Sequence, residues 1–404
     1  MGSSNHHIKF LALATFVVFF WFVYRLGLHH DVQDRIDEIV KGGGHKAAAA
    51  ANYEPAHYTP STSVSSADDK PTAAKLAPGV HPDVLGERAA AQFCSFFRLD
   101  ALARPEASSR KIYDLLLVNT ELELLELRMG QMAPAVDYFV ILESDKTFTD
   151  KPKPLHVQEN WGRFAQHHAK MIRRTMDLTT GDFANSWARE GASRDAMYTQ
   201  VIPYLSGEEE ARVGDVLLVA DVDELFKPEA LKVLRNCALP SKMTFSSRAF
   251  YYSYQWLVDS TWMHPQATTY QLNDTVRPNA LREHSNEHKI FVEAGWHCSY
   301  CFSSLAEMIK KITSFSHTEM DQPQFKDPLK ILHRVSHGID MFDRSNATRI
   351  DRNFDVPDYL KANPKQYGYM LNRDGDDAGF KDWDPVTQSV IPAKDDHSTE
   401  AKTA

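Results

Sequence analysis

Residues 214–225 read GDVLLVADVDEL. Gly214-Asp215 leads into five consecutive apolar residues, and an acid-x-acid triplet closes them. That pattern predicts a buried strand over 215–220 with Asp221 and Asp223 at its carboxyl end. With strand geometry continued, the two aspartates point to one face and Val222 to the other. Two hard oxygens on one face suit a divalent cation that keeps positions open for phosphate oxygens. The alternative is an acidic turn capping the helix that starts at Lys227. The triplet alone says little, because 54 acidic residues in 404 supply about seven such triplets by chance. Its place at a strand end gives it weight.

Working outward, Ile112 to Val118 (IYDLLLV) predicts a second strand, closed by Asn119-Thr120. Glu121 to Met129 follows with helix-like apolar spacing. Val136 to Leu142 (VDYFVIL) predicts a third strand, broken by Glu143-Ser144-Asp145. The basic segment 164–176 and the segment 194–205 read as helices, and Lys227-Pro228-Glu229 opens another with proline in a favoured early position. Strands and helices that alternate, with continuously apolar strands, define an α/β fold with a mainly parallel central sheet. Ligands of such sheets bind beyond the carboxyl ends of the strands. This nominates Asn119, Glu121, Glu143 and the Asp221/Asp223 pair.

The flanks differ in kind. Phe10 to Tyr24 (FLALATFVVFFWFVY) carries no charge, and the stretch from Ile8 to Leu28 reaches roughly 30 Å as a helix, the thickness of a hydrocarbon core. We expect a cytosolic tail over 1–9, a single transmembrane helix over 10–28 and a flexible stem over 29–92, where Pro, Ser, Thr, Ala and Gly dominate. The folded domain is expected over 93–371 and a loose tail over 372–404. Charge does not decide the topology, since Arg25 and Arg35 are diluted by nearby acids. A net charge of -9 gives no overall basic field, so no nucleic-acid partner is expected.

Residues 293–302 read EAGWHCSYCF. A CxxC is half a zinc site, a redox pair or a disulfide element. With Cys94 and Cys237 the only other cysteines, three pairings are open, including Cys298 with Cys301. His297 is a candidate metal ligand or phosphate donor, or a structural histidine. Phe250, Tyr251, Tyr252, Tyr254, Trp256 and Trp262 read either as a sugar-stacking stretch or as half-buried strands. The sequons at Asn273 and Asn346 are candidate glycosylation sites on a lumenal domain.

VNTELELLELRM (118–129), FVILESDKTFTDKPKPL (139–155), DVLLVADVDEL (215–225) and AGWHCSYCF (294–302) together resemble glycosyltransferase family 17 in order and spacing. After Phe302 the text KITSFSHTEMD (311–321) is closer to microbial members. The resemblance implies a GT-A-type nucleotide-sugar-binding domain. It implies a UDP-N-acetylglucosamine donor, a mannose-containing glycan acceptor of the N-glycan type, and inversion at the anomeric carbon. It further implies Mn²⁺ or another divalent cation on Asp221 and Asp223, and a type II Golgi membrane protein with its catalytic domain in the lumen. Asn119, Glu121, Glu143, Arg194, Trp296 and His297 become candidate donor contacts. Glu319 and then Asp321 become candidates for the base that takes the acceptor proton. The other classes are a family member using another UDP-sugar or acceptor, and an inactive membrane-tethered glycan-binding protein.

Overall fold

A computed structural model of the protein describes residues 81–177, 181 and 183–391. The expected tail, membrane anchor (10–28) and the stem up to residue 80 lie outside the described residues. Among the described residues, no helix is long and apolar enough to cross a membrane.

Strands β1 (Ile112–Leu117), β2 (Tyr138–Glu143), β3 (Met171–Thr175) and β4 (Val216–Asp221) lie in the order β3-β2-β1-β4, all parallel. The rest of the ten-stranded sheet comprises β5 (Glu224–Phe226), β6 (Met243–Tyr251), β7 (Trp256–Trp262), β8 (Gln266–Thr269), β9 (Lys289–Ser299) and β10 (Thr348–Arg349). It continues antiparallel from β4 through β8, β6, β7 and β10, while β9 runs parallel to β6 and antiparallel to β5. The helices that matter for the site are α1 (Glu87–Phe96), α2 (Leu122–Met132), α3 (Ser186–Thr199), α4 (Pro228–Asn236), α5 (Pro278–Arg282) and α6 (Leu305–Ser314).

Strand β4 is continuously apolar because both of its faces are covered. Val216, Leu218 and Ala220 pack with Leu124, Leu125 and Leu127 of α2 and with Leu231 and Leu234 of α4. Leu217 and Val219 pack on the opposite face with Ala196 and Met197 of α3. Each Val, Leu or Met side chain so withdrawn from water contributes about 1.5–3 kcal/mol. The expected strands all form, with ends within two residues of those read from sequence.

Three expectations need correction. Residues 164–176 are not one helix: 3₁₀ turns over Trp161–Lys170 lead into edge strand β3, where Met171 and Ile172 are buried and Arg174 faces water. Helix α3 begins at Ser186 rather than 194, with the Asn185 side-chain Oδ1 accepting from the Ala188 N–H at 2.9 Å. The domain also exceeds 93–371. Helix α1 starts at Glu87 and its Cys94 is bonded to Cys237. Beyond 371, Arg373 is fully buried and donates to the carbonyls of Tyr252 (3.1 and 3.0 Å), Phe302 (2.6 Å) and Ala378 (2.8 Å). Phe380 and Trp383 join the core beside Leu305. Asp382 caps α6, accepting from the backbone of Leu305 and Ala306 at 2.7 and 3.0 Å. A segment rich in charge and glycine reads as loose, yet two spaced aromatics and one buried arginine fix residues 372–391.

Candidate active site

A cavity of about 500 Å³ opens at the carboxyl ends of β1 and β4. Its floor is the turn after β4, and the backbone of that turn is held from below. Arg128 of α2, fully buried, makes a bidentate pair with Asp114 of β1 at 2.6 and 2.7 Å. Its remaining amino group donates to the carbonyls of Asp221 (3.3 Å) and Glu224. The guanidinium fork thus fixes two carbonyls of the acidic turn. From the other side, β9 crosses close to the turn. A Cβ on Gly295 would lie 2.1 Å from the Leu225 carbonyl oxygen, so only glycine permits this approach.

Asp221 and Asp223 both line the cavity. Asp221 meets Arg282 of α5 at 3.0 Å and Arg194 of α3 at 3.3 Å. Burial would raise the Asp221 carboxyl, but Arg282 and then Arg194 outweigh it and hold the group well below the usual range. Glu224, fully buried, accepts from Arg282 at 2.7 Å, from the Trp262 indole at 3.1 Å and from the Asp221 N–H at 2.9 Å. Burial raises its carboxyl as well, and Arg282 again brings it below the ordinary value. Asp223 lies 3.7 Å from the His297 Nε2. Burial alone would lower the His297 pKa, while Asp223 reverses that and raises it. The His297 ring stacks on Trp262 at 4.7 Å, and its Nδ1 is buried without a hydrogen-bond partner among the described residues.

A second wall comes from β1 and α6. Glu121 pairs with Lys311 at 2.8 Å. Burial disfavours both charges, yet the pairing lowers the carboxyl and raises the ammonium. Asn119 donates to Ser314 at 2.9 Å, and its buried Oδ1 has no partner among the described residues. The cavity therefore combines paired carboxylates with Arg194, Arg282 and Lys311, and leaves the Asn119 Oδ1 acceptor unpaired among the described residues beside them.

The structure brings Asn119, Glu121, Arg194, Asp221, Asp223 and His297 to one cavity. Four candidates fall elsewhere. Glu143 is fully buried off the cavity wall, where it accepts from the N–H groups of Val157 (2.7 Å) and Gln158 (3.0 Å) and from Arg173 (2.8 Å). Trp296 points to the opposite face of β9 from its neighbour His297, as strand alternation requires. It packs in the core and its indole donates to Asp355 at 3.0 Å. Glu319 is exposed and pairs with His317 at 2.7 Å, and Asp321 pairs with Lys326 and with Lys151. Neither carboxylate lines the cavity. Of the aromatic stretch, Phe250, Tyr252, Tyr254 and Trp256 are core, whereas Tyr251 and Trp262 reach the cavity. Cys298 and Cys301 are joined in a disulfide, as are Cys94 and Cys237. Asn273 and Asn346 are exposed.

Sequence reasoning missed Arg128, Arg282 and Lys311. No local motif marks them, because each acts on a partner 14 to 190 residues away.

The donor set also bears on a metal. No group of three or more His, Cys, Asp or Glu that could hold an ion occurs among the described residues. Asp221 and Asp223, two carboxylates lining one cavity, would leave most positions of a cation open, unlike a closed structural zinc site.

Fold and site together define an α/β domain with a charged cavity at the carboxyl ends of its parallel strands. The profile of glycosyltransferase family 17 matches residues 86–375, and the chain belongs to that family. Among curated relatives, the β-1,4-mannosyl-glycoprotein 4-β-N-acetylglucosaminyltransferase of Homo sapiens is 23% identical over 254 residues, covering 56% of this chain and 47% of that protein. The Mus musculus protein of the same name is 24% identical over 255 residues, covering 56% of this chain and 46% of its own length. The chain thus spans about half the length of the curated relatives it matches. Among solved structures, an inositol-1-phosphate CTP transferase from T. maritima aligns with a TM-score of 0.25 and 10% identity over 48% of this chain and 86% of that one, too slight a likeness to carry an argument.

Proposed function

We propose that this protein is a metal-dependent inverting glycosyltransferase of the GT-A type. Its reaction moves N-acetylglucosamine from UDP-N-acetylglucosamine to a mannose-containing glycan. One observation carries this reading: Asp221, paired with Arg194 and Arg282, shares one strand-end cavity with Asp223 and Lys311. Paired hard oxygens beside three cations complement a nucleotide diphosphate that arrives with a divalent ion. The names of the curated relatives support the choice of sugar and acceptor.

In this reading Asp221 and Asp223 hold the ion, which supplies charge neutralisation for the departing diphosphate. Arg282 and Arg194 keep Asp221 ionised and fix its orientation. Lys311, anchored by Glu121, faces the same space and adds positive charge where the leaving group develops negative charge. Asn119, with an unused buried acceptor, is placed to receive an N–H or hydroxyl of the nucleoside.

We further propose that residues 10–28 anchor the protein in the Golgi membrane with the domain in the lumen. Support comes from the cysteines, all four of which form disulfides, as an oxidising compartment favours. A glycosidase-sensitive mobility shift that disappears in the Asn273→Gln/Asn346→Gln variant is the expected result.

The test of the activity is transfer from UDP-N-acetylglucosamine to mannose-rich acceptors by the purified protein, with Mn²⁺ and with EDTA. Product only with the ion supports the reading. No product on any acceptor would leave a glycan-binding protein.

A further inference from the structure

The cavity has a mouth as well as a floor, and its rim is built from two segments distant in sequence. On α3, Trp187, Glu190 and Arg194 recur at helical spacing and all line the cavity. Arg194 reaches Asp221 at the floor, and Glu190 pairs with Arg194 at 2.5 Å halfway up. Trp187 is seven residues before Arg194, about 10 Å higher along the helix axis. There it is 49% exposed, an indole left open at the edge of a polar cavity.

Trp187 is not a loose surface side chain. His317 meets its ring edge-on at 4.6 Å, and the Glu319 carboxylate holds His317 Nδ1 at 2.7 Å. Phe315 backs His317 at 5.5 Å. Two hydrogen bonds clamp α3 to this segment: Ser186 donates to the Ser316 carbonyl at 2.8 Å, and the Ser316 hydroxyl donates to Glu190. The aromatic surface is therefore fixed before any ligand arrives, which removes much of the ordering entropy that binding would otherwise oppose.

A pyranose ring has an apolar C–H face and a rim of hydroxyls. An open indole flanked by a histidine, a glutamate and serines matches both parts. In the glycosyltransferase reading the floor of the cavity receives the diphosphate end of the donor, which leaves a ring at Trp187 to the other substrate.

We propose that Trp187, braced by His317, is the stacking platform for a sugar of the acceptor glycan beyond the residue that reacts. This rests on the glycosyltransferase reading. It makes the protein selective for oligosaccharide over monosaccharide acceptors. Glu319, which does not line the cavity, acts here as a positioning residue for His317.

The test is a binding measurement that needs no turnover. Saturation-transfer NMR titrations would follow α-linked mannotriose and mannose on the full-length protein with UDP and Mn²⁺ present, comparing wild type, Trp187→Ala and Trp187→Phe. We expect Trp187→Ala to weaken mannotriose binding about tenfold, and Trp187→Phe to retain most of it. Mannose should bind all three proteins equally weakly, and UDP affinity should be unchanged. Equal mannotriose binding by wild type and Trp187→Ala, or no binding of mannotriose by wild type, would overturn the proposal. A matching loss of UDP affinity would also overturn it by placing the donor at Trp187. Thermal melts check that the half-exposed substitution leaves the fold intact. Failure of the transferase reading is separate: it appears as absent Mn²⁺-dependent transfer while mannotriose binding is intact.

Discussion

The parallel and antiparallel halves of the sheet contribute to the cavity in different ways. Strands β1, β2 and β4 deliver their carboxyl ends, and with them Asn119, Glu121, Ser144 and Asp221. The antiparallel side delivers side chains from its strands and connections: Trp262, His264, Arg282 and His297. The first half is held by apolar burial on both faces and one buried ion pair. The second is held to the acidic turn by polar contacts, with Arg282 and Trp262 both on Glu224. The parallel half places negative charge at the floor, and Arg282 from the antiparallel side together with Arg194 of α3 fixes its ionisation and direction.

Substitutions that separate the halves sharpen this division. The largest effect is expected for Arg128→Ala, which strands Asp114 in the core. Removing one partner of a buried pair costs about 3–5 kcal/mol, so Tm should fall by roughly 10 °C. An unchanged melt would mean that the acidic turn is not held from below. Asp223→Asn should leave Tm nearly unchanged while transfer falls about 10²- to 10³-fold, the usual loss when one electrostatic contact to the transition state is removed.

A smaller effect is expected from His264. Its pKa is pulled down to about 4, by burial first and then by Arg282. A folded-state pKa below the unfolded value of about 6.5 means that the native state prefers the neutral ring. Its contribution is complete above that value and is lost as pH falls toward 4. It amounts to at most about 3 kcal/mol. Urea unfolding at neutral and acidic pH should show wild type losing more stability on acidification than His264→Asn. Parallel pH profiles would contradict the assignment. The smallest effect is expected for Trp262→Phe, which deletes one hydrogen bond to Glu224 and should lower stability by about 1 kcal/mol in the same measurement.

The two halves were also unequally legible in the sequence. GDVLLVADVDEL announces itself, because a strand buried on both faces is continuously apolar and its end is sharp. Asn119, Glu121, Asp221 and Asp223 follow from that rule. The same rule misassigned Glu143, which sits at a strand end but is taken up by backbone N–H groups and Arg173. Trp296 and His297 were read as a pair, although adjacent strand residues face opposite ways. Arg282 and Lys311 carry no local pattern, since their partners are supplied by topology. Trp187 went unread because α3 starts eight residues earlier than its apolar spacing suggests, at a cap rather than a hydrophobic repeat.

The central claim is that the acidic turn after β4 is a diphosphate site that works with a divalent ion. Calorimetric titration of UDP into the full-length protein tests it most directly, using Mn²⁺ and EDTA on wild type and Asp223→Asn. We predict binding by wild type with Mn²⁺ and its loss both with EDTA and in the variant, with unchanged melts. Equal UDP affinity in EDTA, or in Asp223→Asn, would contradict the claim and reduce the acid-x-acid turn to a helix cap.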